Sequence, residues 1–229
     1  MEKIIKNYTK IYRYSRFFSF DRDKKILEIC KGKNVLHIGA GDAPYTEEKY
    51  NKGTLLHKKL NDVCNKLIGI ELDLNSIEFL SKKGINNIIH QDLNDISAID
   101  IGFDIDVIVF GETIEHIMNL KTFFDKIKDI MNKNTYLLIS TPNMNYSVIM
   151  MLAFLGIEMV HYDHNISFSY GTLKQLIEKN DLKLYKYYYT FISRDNNSLL
   201  FRFFHKLSKV IGFIFPWLGE TLLFVCIKK

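Results

Sequence analysis

Asn34-Val35-Leu36-His37-Ile38-Gly39-Ala40-Gly41-Asp42 is an apolar run of strand length closed by two glycines one residue apart. Such a run reads as a buried β-strand ending in a tight turn where a ligand approaches the backbone. A β-carbon at Gly39 or Gly41 would restrict the turn and hold a ligand away from the main-chain N–H groups. The nicotinamide and flavin fingerprint has a third glycine three residues after the second. Pro44 stands there instead, which disfavours a dinucleotide.

Working outward, Lys66-Leu67-Ile68-Gly69-Ile70-Glu71-Leu72-Asp73 is a second short apolar run ending in acids, and Asn87-Ile88-Ile89-His90-Gln91-Asp92-Leu93 is a third. In doubly wound folds an acid at a strand's C-terminal edge bonds ribose hydroxyls, so an adenosine-bearing ligand is implied. A fourth run, residues 103–110, leads into Gly111-Glu112-Thr113-Ile114-Glu115-His116, and residues 135–140 lead into Thr141-Pro142-Asn143. Helical stretches separate the runs. Two short pieces split by Gly53 lie between Asp42 and Lys66, with Leu55, Leu56, Leu60 and Val63 turned to the sheet. A helix from Ser76 to Lys83 closes at Gly84, and a stripe of Phe123, Phe124, Ile127, Ile130 and Met131 marks another. This alternation predicts a parallel α/β sheet.

The series, in this order, resembles the class I S-adenosylmethionine-dependent methyltransferases, closest to the small-molecule branch with ubiquinone-type and surface-glycan enzymes. The resemblance runs from Val35 to the C-terminus. It implies a Rossmann-like α/β fold: a seven-stranded, mostly parallel sheet with helices on both faces. Its last strand, near residues 221–227, is inserted beside the strand near residues 182–191. It also implies S-adenosyl-L-methionine as cofactor, with Gly39, Ala40 and Gly41 against the methionine part and Glu71 on the ribose hydroxyls. Leu72 and Asp73 then flank the adenine, Asp92 accepts from its exocyclic amine and Leu93 lines the ring. Glu112 is a candidate for orienting the methionine amino group or the acceptor. Three positions depart from the family pattern: His37 is often acidic, Ala40 often cysteine, and Glu71 commonly aspartate.

Residues 1–229 are expected to form a single domain, with 1–31 an N-terminal helical cap and 144–170 an acceptor-site insertion. Ile4, Ile5, Tyr8, Ile11 and Tyr12 recur at helical spacing in the cap, and Asp23 to Ile29 offers a second helix there. Arg13 and Arg16 read as solvated charges. A hydrophobic fraction of 47% and a net charge of +5, without a basic block, suit a globular domain rather than a nucleic-acid binder. Gly-Glu-Thr also replaces the Asn-Pro-Pro-aromatic loop that base-modifying relatives use. Cys30, Cys64 and Cys226, odd in number and far apart, predict reduced thiols and a cytoplasmic setting. No secretory signal is expected at the N-terminus, and no apolar run reaches the ~20 residues of a spanning helix. Between the two final strands, Leu200, Phe203, Phe204, Leu207, Val210 and Ile211 form a helical apolar stripe, with Arg202, Lys206 and Lys209 on another face. Packing of the stripe on the sheet is expected, with peripheral membrane contact as the alternative.

His116, just past the fourth strand, is the candidate general base, because an imidazole titrates near neutral pH. His161, Asp163 and His164 raise a metal, but no second pair of ligands follows, and none is assigned. The expected reaction is methyl transfer to a small-molecule, sugar or lipid-linked glycan acceptor, at oxygen rather than nitrogen. Two alternatives are a methyltransferase-like scaffolding subunit, opposed by the intact Gly39, Gly41, Glu71 and Asp92, and a nicotinamide oxidoreductase, opposed by Pro44. Oligomeric state is not legible.

Overall fold

In a computed structural model of the protein, which describes residues 3–5, 9–92, 101–192 and 199–229, the N-terminus is not the expected helix. It forms two short antiparallel strands, β1 (Lys3–Ile5) and β2 (Thr9–Ile11), with Ile4 opposite Lys10. The β-branched Ile4, Ile5, Thr9 and Ile11 suit a strand as well as a helix, and pairing of the two segments decides between them. The second helix of the cap is present as α1 (Arg22–Cys30), whose first turn is capped by Asp21 accepting from the Lys24 N–H at 2.9 Å.

The main sheet has seven strands in the order β5-β4-β3-β6-β7-β9-β8. Its parallel members are β3 (Asn34–Ile38), β4 (Lys66–Glu71), β5 (Ile88–His90), β6 (Val107–Gly111) and β7 (Tyr136–Pro142). β9 (Thr221–Lys228) runs antiparallel between β7 and β8 (Leu182–Thr190), as the family pattern implied. From β3 the chain steps outward through β4 to β5, then returns to the other side of β3 as β6. The switch point therefore lies between β3 and β6.

Helices cover both faces. Successive residues of a strand point to opposite sides, so Val35, Val107 and Val109 meet Ile26 and Cys30 of α1 and Leu56 and Leu60 of α3 (Leu56–Asn61). Leu36, Ile38, Ile108 and Phe110 pack on the other side with Phe123, Phe124 and Ile127 of α5 (Leu120–Ile130) and Leu173 and Ile177 of α7 (Tyr170–Lys179). Two pieces do precede β4, α2 (Thr46–Asn51) and α3, and Gly53 at φ +67° separates them. α4 (Leu74–Lys82) follows β4, and α6 (Ser147–Phe154) follows β7.

The remaining helix, α8 (Leu199–Ile214), corrects an expectation. Most of its apolar stripe does not lie on the sheet: Phe203, Phe204, Leu207 and Val210 are exposed, as are Phe213 and Ile214 beyond the expected stripe, while Ile211 is half-buried and the Leu200 side chain lies outside the described residues. The packed face is the small and polar stripe of His205, Ser208 and Gly212, spaced three and four apart. Ser208 meets the Tyr146 hydroxyl at 2.9 Å, and a β-carbon on Gly212 would come within 2.7 Å of the Phe191 ring. A bulkier stripe cannot approach that close, so the large residues are left outside. Among the described residues no helix is long and apolar enough to cross a membrane.

Candidate active site

The C-terminal ends of β3, β4 and β6 lie in register, with Ile38 opposite Ile70 and Phe110, so Gly39, Glu71 and Gly111 line one edge of the sheet. Gly39 turns the chain at φ +76°, and its N–H and that of Ala40 donate to the Ile70 carbonyl at 2.9 and 3.0 Å. Gly41 is needed for proximity. Its N–H donates to Glu71 Oε2 at 2.6 Å, and a β-carbon there would sit 2.7 Å from that oxygen and 2.8 Å from Ser76 Cβ. Glu71 Oε1 accepts from the N–H groups of Leu72 and Asp73 at 2.8 and 3.0 Å. Three of about four acceptor sites on the carboxylate are thus spent on the turn, and about one remains for a ligand hydroxyl.

The other adenosine candidates differ in character. Asp73 caps α4, accepting from the Ser76 N–H at 2.8 Å, and hydrogen bonds from Ser76 hold its carboxyl below the usual carboxylate range. Ala40 is buried under the turn, while Leu72 is exposed beyond it. Asp92 is exposed just past β5, and Leu93 lies outside the described residues.

A cleft opens beside the glycine turn, lined by Arg22, His37, Gly39, Ala40, Gly111 and Glu112 among others. Sequence reading passed over Arg22, which is buried at the start of α1. Its guanidinium bonds Asp23 Oδ1 at 2.8 Å and pairs with Glu112 Oε1 at 3.3 Å, while Lys59 holds the second Asp23 oxygen at 2.8 Å. Glu112 has φ +49°, a left-handed conformation that aims its side chain into this pair. Burial pushes its carboxyl pKa up, against the opposing pull of Arg22.

His37, in the position that is often acidic, has a buried partner that carries no sequence signal of its own. His37 Nδ1 lies 3.2 Å from His57 Nδ1, and His57 Nε2 lies 3.3 Å from Asn87 Oδ1. The Asn87 amide donates to the Leu67 carbonyl at 3.0 Å, which orients its oxygen toward His57. His57 therefore carries its proton on Nε2 and accepts at Nδ1 from His37, leaving His37 Nε2 as an acceptor in a residue that lines the cleft. Burial keeps both rings neutral, and His57 is pushed down to about 4. Room for the pair comes from Gly69, where a β-carbon would meet His57 Cε1 at 2.7 Å.

His116 stands where its motif placed it, in the short 3-10 turn Ile114–His116 after β6. Its Nδ1 is 3.0 Å from the Asp163 carbonyl. A carbonyl only accepts, so Nδ1 bears the proton, and in the neutral ring Nε2 keeps the lone pair. The segment after α6 folds back onto it: His161 and His164 approach the His116 ring with centroids 6.2 and 4.9 Å away. Glu115, quoted in the motif without a role, completes the cluster. It is 1% exposed, its Oε2 accepts from Thr141 Oγ1 at 3.0 Å, and its Oε1 has no hydrogen-bond partner. Burial, then the nearby Glu112 charge, push this carboxyl up to about 8. Glu115, His116 and His164 bring one ligand atom apiece within 4.8 Å of one another.

A glycine cradle, an acid on the neighbouring strand and a cleft at the switch point of a seven-stranded sheet define the class I methyltransferase architecture. Solved structures of that architecture resemble the chain. An S-adenosylmethionine-dependent methyltransferase from Archaeoglobus fulgidus has a TM-score of 0.56 at 16% identity, over 90% of this chain and 91% of its own. One from Aquifex aeolicus has a TM-score of 0.53 at 13% identity, over 93% and 92%. The plantazolicin methyltransferase BamL has a TM-score of 0.52 at 15% identity, over 86% and 77%. At such identities the likeness is one of fold. No curated protein matches the chain. Residues 10–187 match the family described as "Methyltransferase domain". The chain belongs to that family and is an S-adenosylmethionine-dependent methyltransferase.

Proposed function

We propose that the protein transfers the methyl group of S-adenosylmethionine to a hydroxyl of a small-molecule, sugar or lipid-linked glycan acceptor in the cytoplasm, with His116 as general base. The observation that carries this reading is the fixed tautomer of His116, which leaves a proton acceptor at the C-terminal edge of β6. In this reading Gly39, Ala40 and Gly41 lie against the methionine part, Arg22 meets its carboxylate, and Glu112 with His37 Nε2 receives its ammonium. Glu71 takes a ribose hydroxyl on its remaining acceptor site, and Leu72, Asp73, Asp92 and Leu93 surround the adenine. The plantazolicin methyltransferase BamL, of the same architecture, is solved in complex with a triazolic desmethylPZN analog and SAH, which supports the small-molecule reading. The free Cys30, Cys64 and Cys226 support a reducing compartment.

Methyl transfer from a sulfonium is an in-line displacement. Alignment of acceptor oxygen, methyl carbon and sulfur supplies up to about 7–11 kcal/mol of the barrier, and a positioned base adds about 10²–10⁴-fold. His116→Ala is therefore expected to lower turnover about 100-fold or more while the affinity for S-adenosylhomocysteine changes less than about threefold. Unchanged turnover removes His116 as the base.

Glu115 Oε1, which takes no hydrogen bond and has His164 Nε2 3.9 Å away, favours a second reading, in which Glu115, His116 and His164 hold a divalent cation that binds the acceptor oxygen. Chelation separates the two. Turnover indifferent to chelator supports the base, whereas loss restored by one divalent cation, with that ion retained in native mass spectra and lost in Glu115→Gln, supports the cation.

A further inference from the structure

The apolar surface that α8 turns outward does not end at that helix. Phe20 stacks on Phe213 at 6.0 Å and Phe18 meets Phe20 at 4.7 Å, which joins the chain around Phe17 to it. On its other side α8 packs on α6, where Met150, Met151 and Phe154 are exposed. Past α6, Leu155, Ile157, Met159, Val160 and Tyr162 are exposed as well, Phe154 at 87% and Leu155 at 73%. Solvent-facing apolar residues scattered singly are ordinary, but a run of this extent over three adjoining segments marks an interaction surface.

Charge distinguishes the occupants. Residues 199–219 contain Arg202, Lys206 and Lys209 and no carboxylate, residues 9–20 contain Lys10, Arg13 and Arg16 and again no carboxylate, and in residues 142–162 Glu158 is the single carboxylate, so cations outnumber acids across the face. On the α8 helix the three cations fall together along one edge of the apolar arc, opposite the other edge at Phe204. An antiparallel two-fold pairing of α8 with a second copy would set this cationic edge against its own kind. An anionic lipid surface would meet them with phosphates and take the apolar arc below the headgroups, the arrangement of an interfacial amphipathic helix.

We propose that this face, centred on α8 and the end of α6, docks on an anionic bilayer, and that the acceptor is accordingly a lipid-borne molecule. The segment after α6 also reaches the candidate active site, through the Asp163 carbonyl bonded to His116 and through Asn165, whose side chain donates to the His116 carbonyl at 2.8 Å. A docked α6–α8 face thus brings the acceptor side of the cleft to the membrane surface. The lipid-borne acceptor rests on the methyl-transfer reading above; the docking does not.

The test is co-sedimentation of the whole protein with phosphatidylglycerol-containing vesicles and with phosphatidylcholine vesicles. Two variants, Leu207→Glu with Phe213→Glu, and Arg202→Glu with Lys206→Glu and Lys209→Glu, are compared with wild type. S-adenosylhomocysteine titration of each reports an intact fold and cofactor site. Partition onto anionic vesicles is expected, at least about tenfold weaker on neutral vesicles, in high salt and in either variant, with cofactor affinity unchanged. Wild type that binds S-adenosylhomocysteine but stays in the supernatant overturns the docking. So does a dimer in light scattering that Leu207→Glu with Phe213→Glu dissolves without any vesicle affinity, which assigns the face to a second copy. Vesicle binding without cofactor binding overturns the methyl-transfer reading and leaves the docking standing.

Discussion

Glu71→Ala is expected to weaken S-adenosylhomocysteine binding about 100-fold, ~2.7 kcal/mol at ~1.4 kcal/mol per decade. The effect has two sources. The carboxylate accepts from the N–H groups of Gly41, Leu72 and Asp73, so its removal leaves these donors unpaired beside the turn, at about 1–3 kcal/mol for each one that water does not reach. The acceptor site left over for the ribose is lost with it. Glu71→Gln keeps one carbonyl acceptor but turns an amide N–H₂ toward donors, so an intermediate loss is expected. Binding is read by calorimetry on protein shown folded by its melting transition. Affinity within threefold of wild type in the folded alanine variant would overturn the role of Glu71 as the support of the cradle.

The second large effect is on stability. Arg22→Met removes the cation from a buried pair and leaves Glu112 facing a cleft wall without it. Breaking a buried pair from one side costs about 3–5 kcal/mol, because the surviving charge stays desolvated. The sign with pH follows from Glu112, whose carboxyl burial already raises above its unfolded value. A group raised on folding binds its proton more tightly in the native state. The stability of Arg22→Met should therefore be greatest below the unfolded carboxylate value and be lost as pH rises from there through the raised native value. Adding Glu112→Gln should restore most of the loss, and denaturant titrations of the two single variants and the double variant give the coupling. A cost under 1 kcal/mol for Arg22→Met, or additive effects in the double variant, would show that the pair is not what holds this wall.

The features legible in the sequence were those set by short-range pattern. The glycine turn, the acids at strand ends and the two helical pieces around Gly53 follow from local spacing, whereas the inserted β9 follows only from the family resemblance. Three features were not legible, each for a different reason. The segment of β1 and β2 satisfies helical and strand patterns alike, and only pairing between the two halves resolves it. α8 is amphipathic as its spacing predicts, but its apolar side faces outward. Periodicity shows that a helix has an apolar face, not that the protein covers it; Gly212 against Phe191 decides that. Arg22, His57 and Glu115 are polar residues buried by partners far along the chain: Glu112 for Arg22, His37 and Asn87 for His57, Thr141 and His164 for Glu115. The one available hint for His57 was Gly69 in the middle of an otherwise bulky strand, since glycine there marks a close approach.

The central claim, a cofactor cradle for S-adenosylmethionine built on Gly39, Gly41 and Glu71, is tested most directly by calorimetric titration of the purified protein with S-adenosylhomocysteine, with NADH as control. Micromolar binding of the first, roughly −8 kcal/mol, and none of the second is the expected result. A folded protein that binds neither would contradict the account and leave the scaffolding alternative in its place.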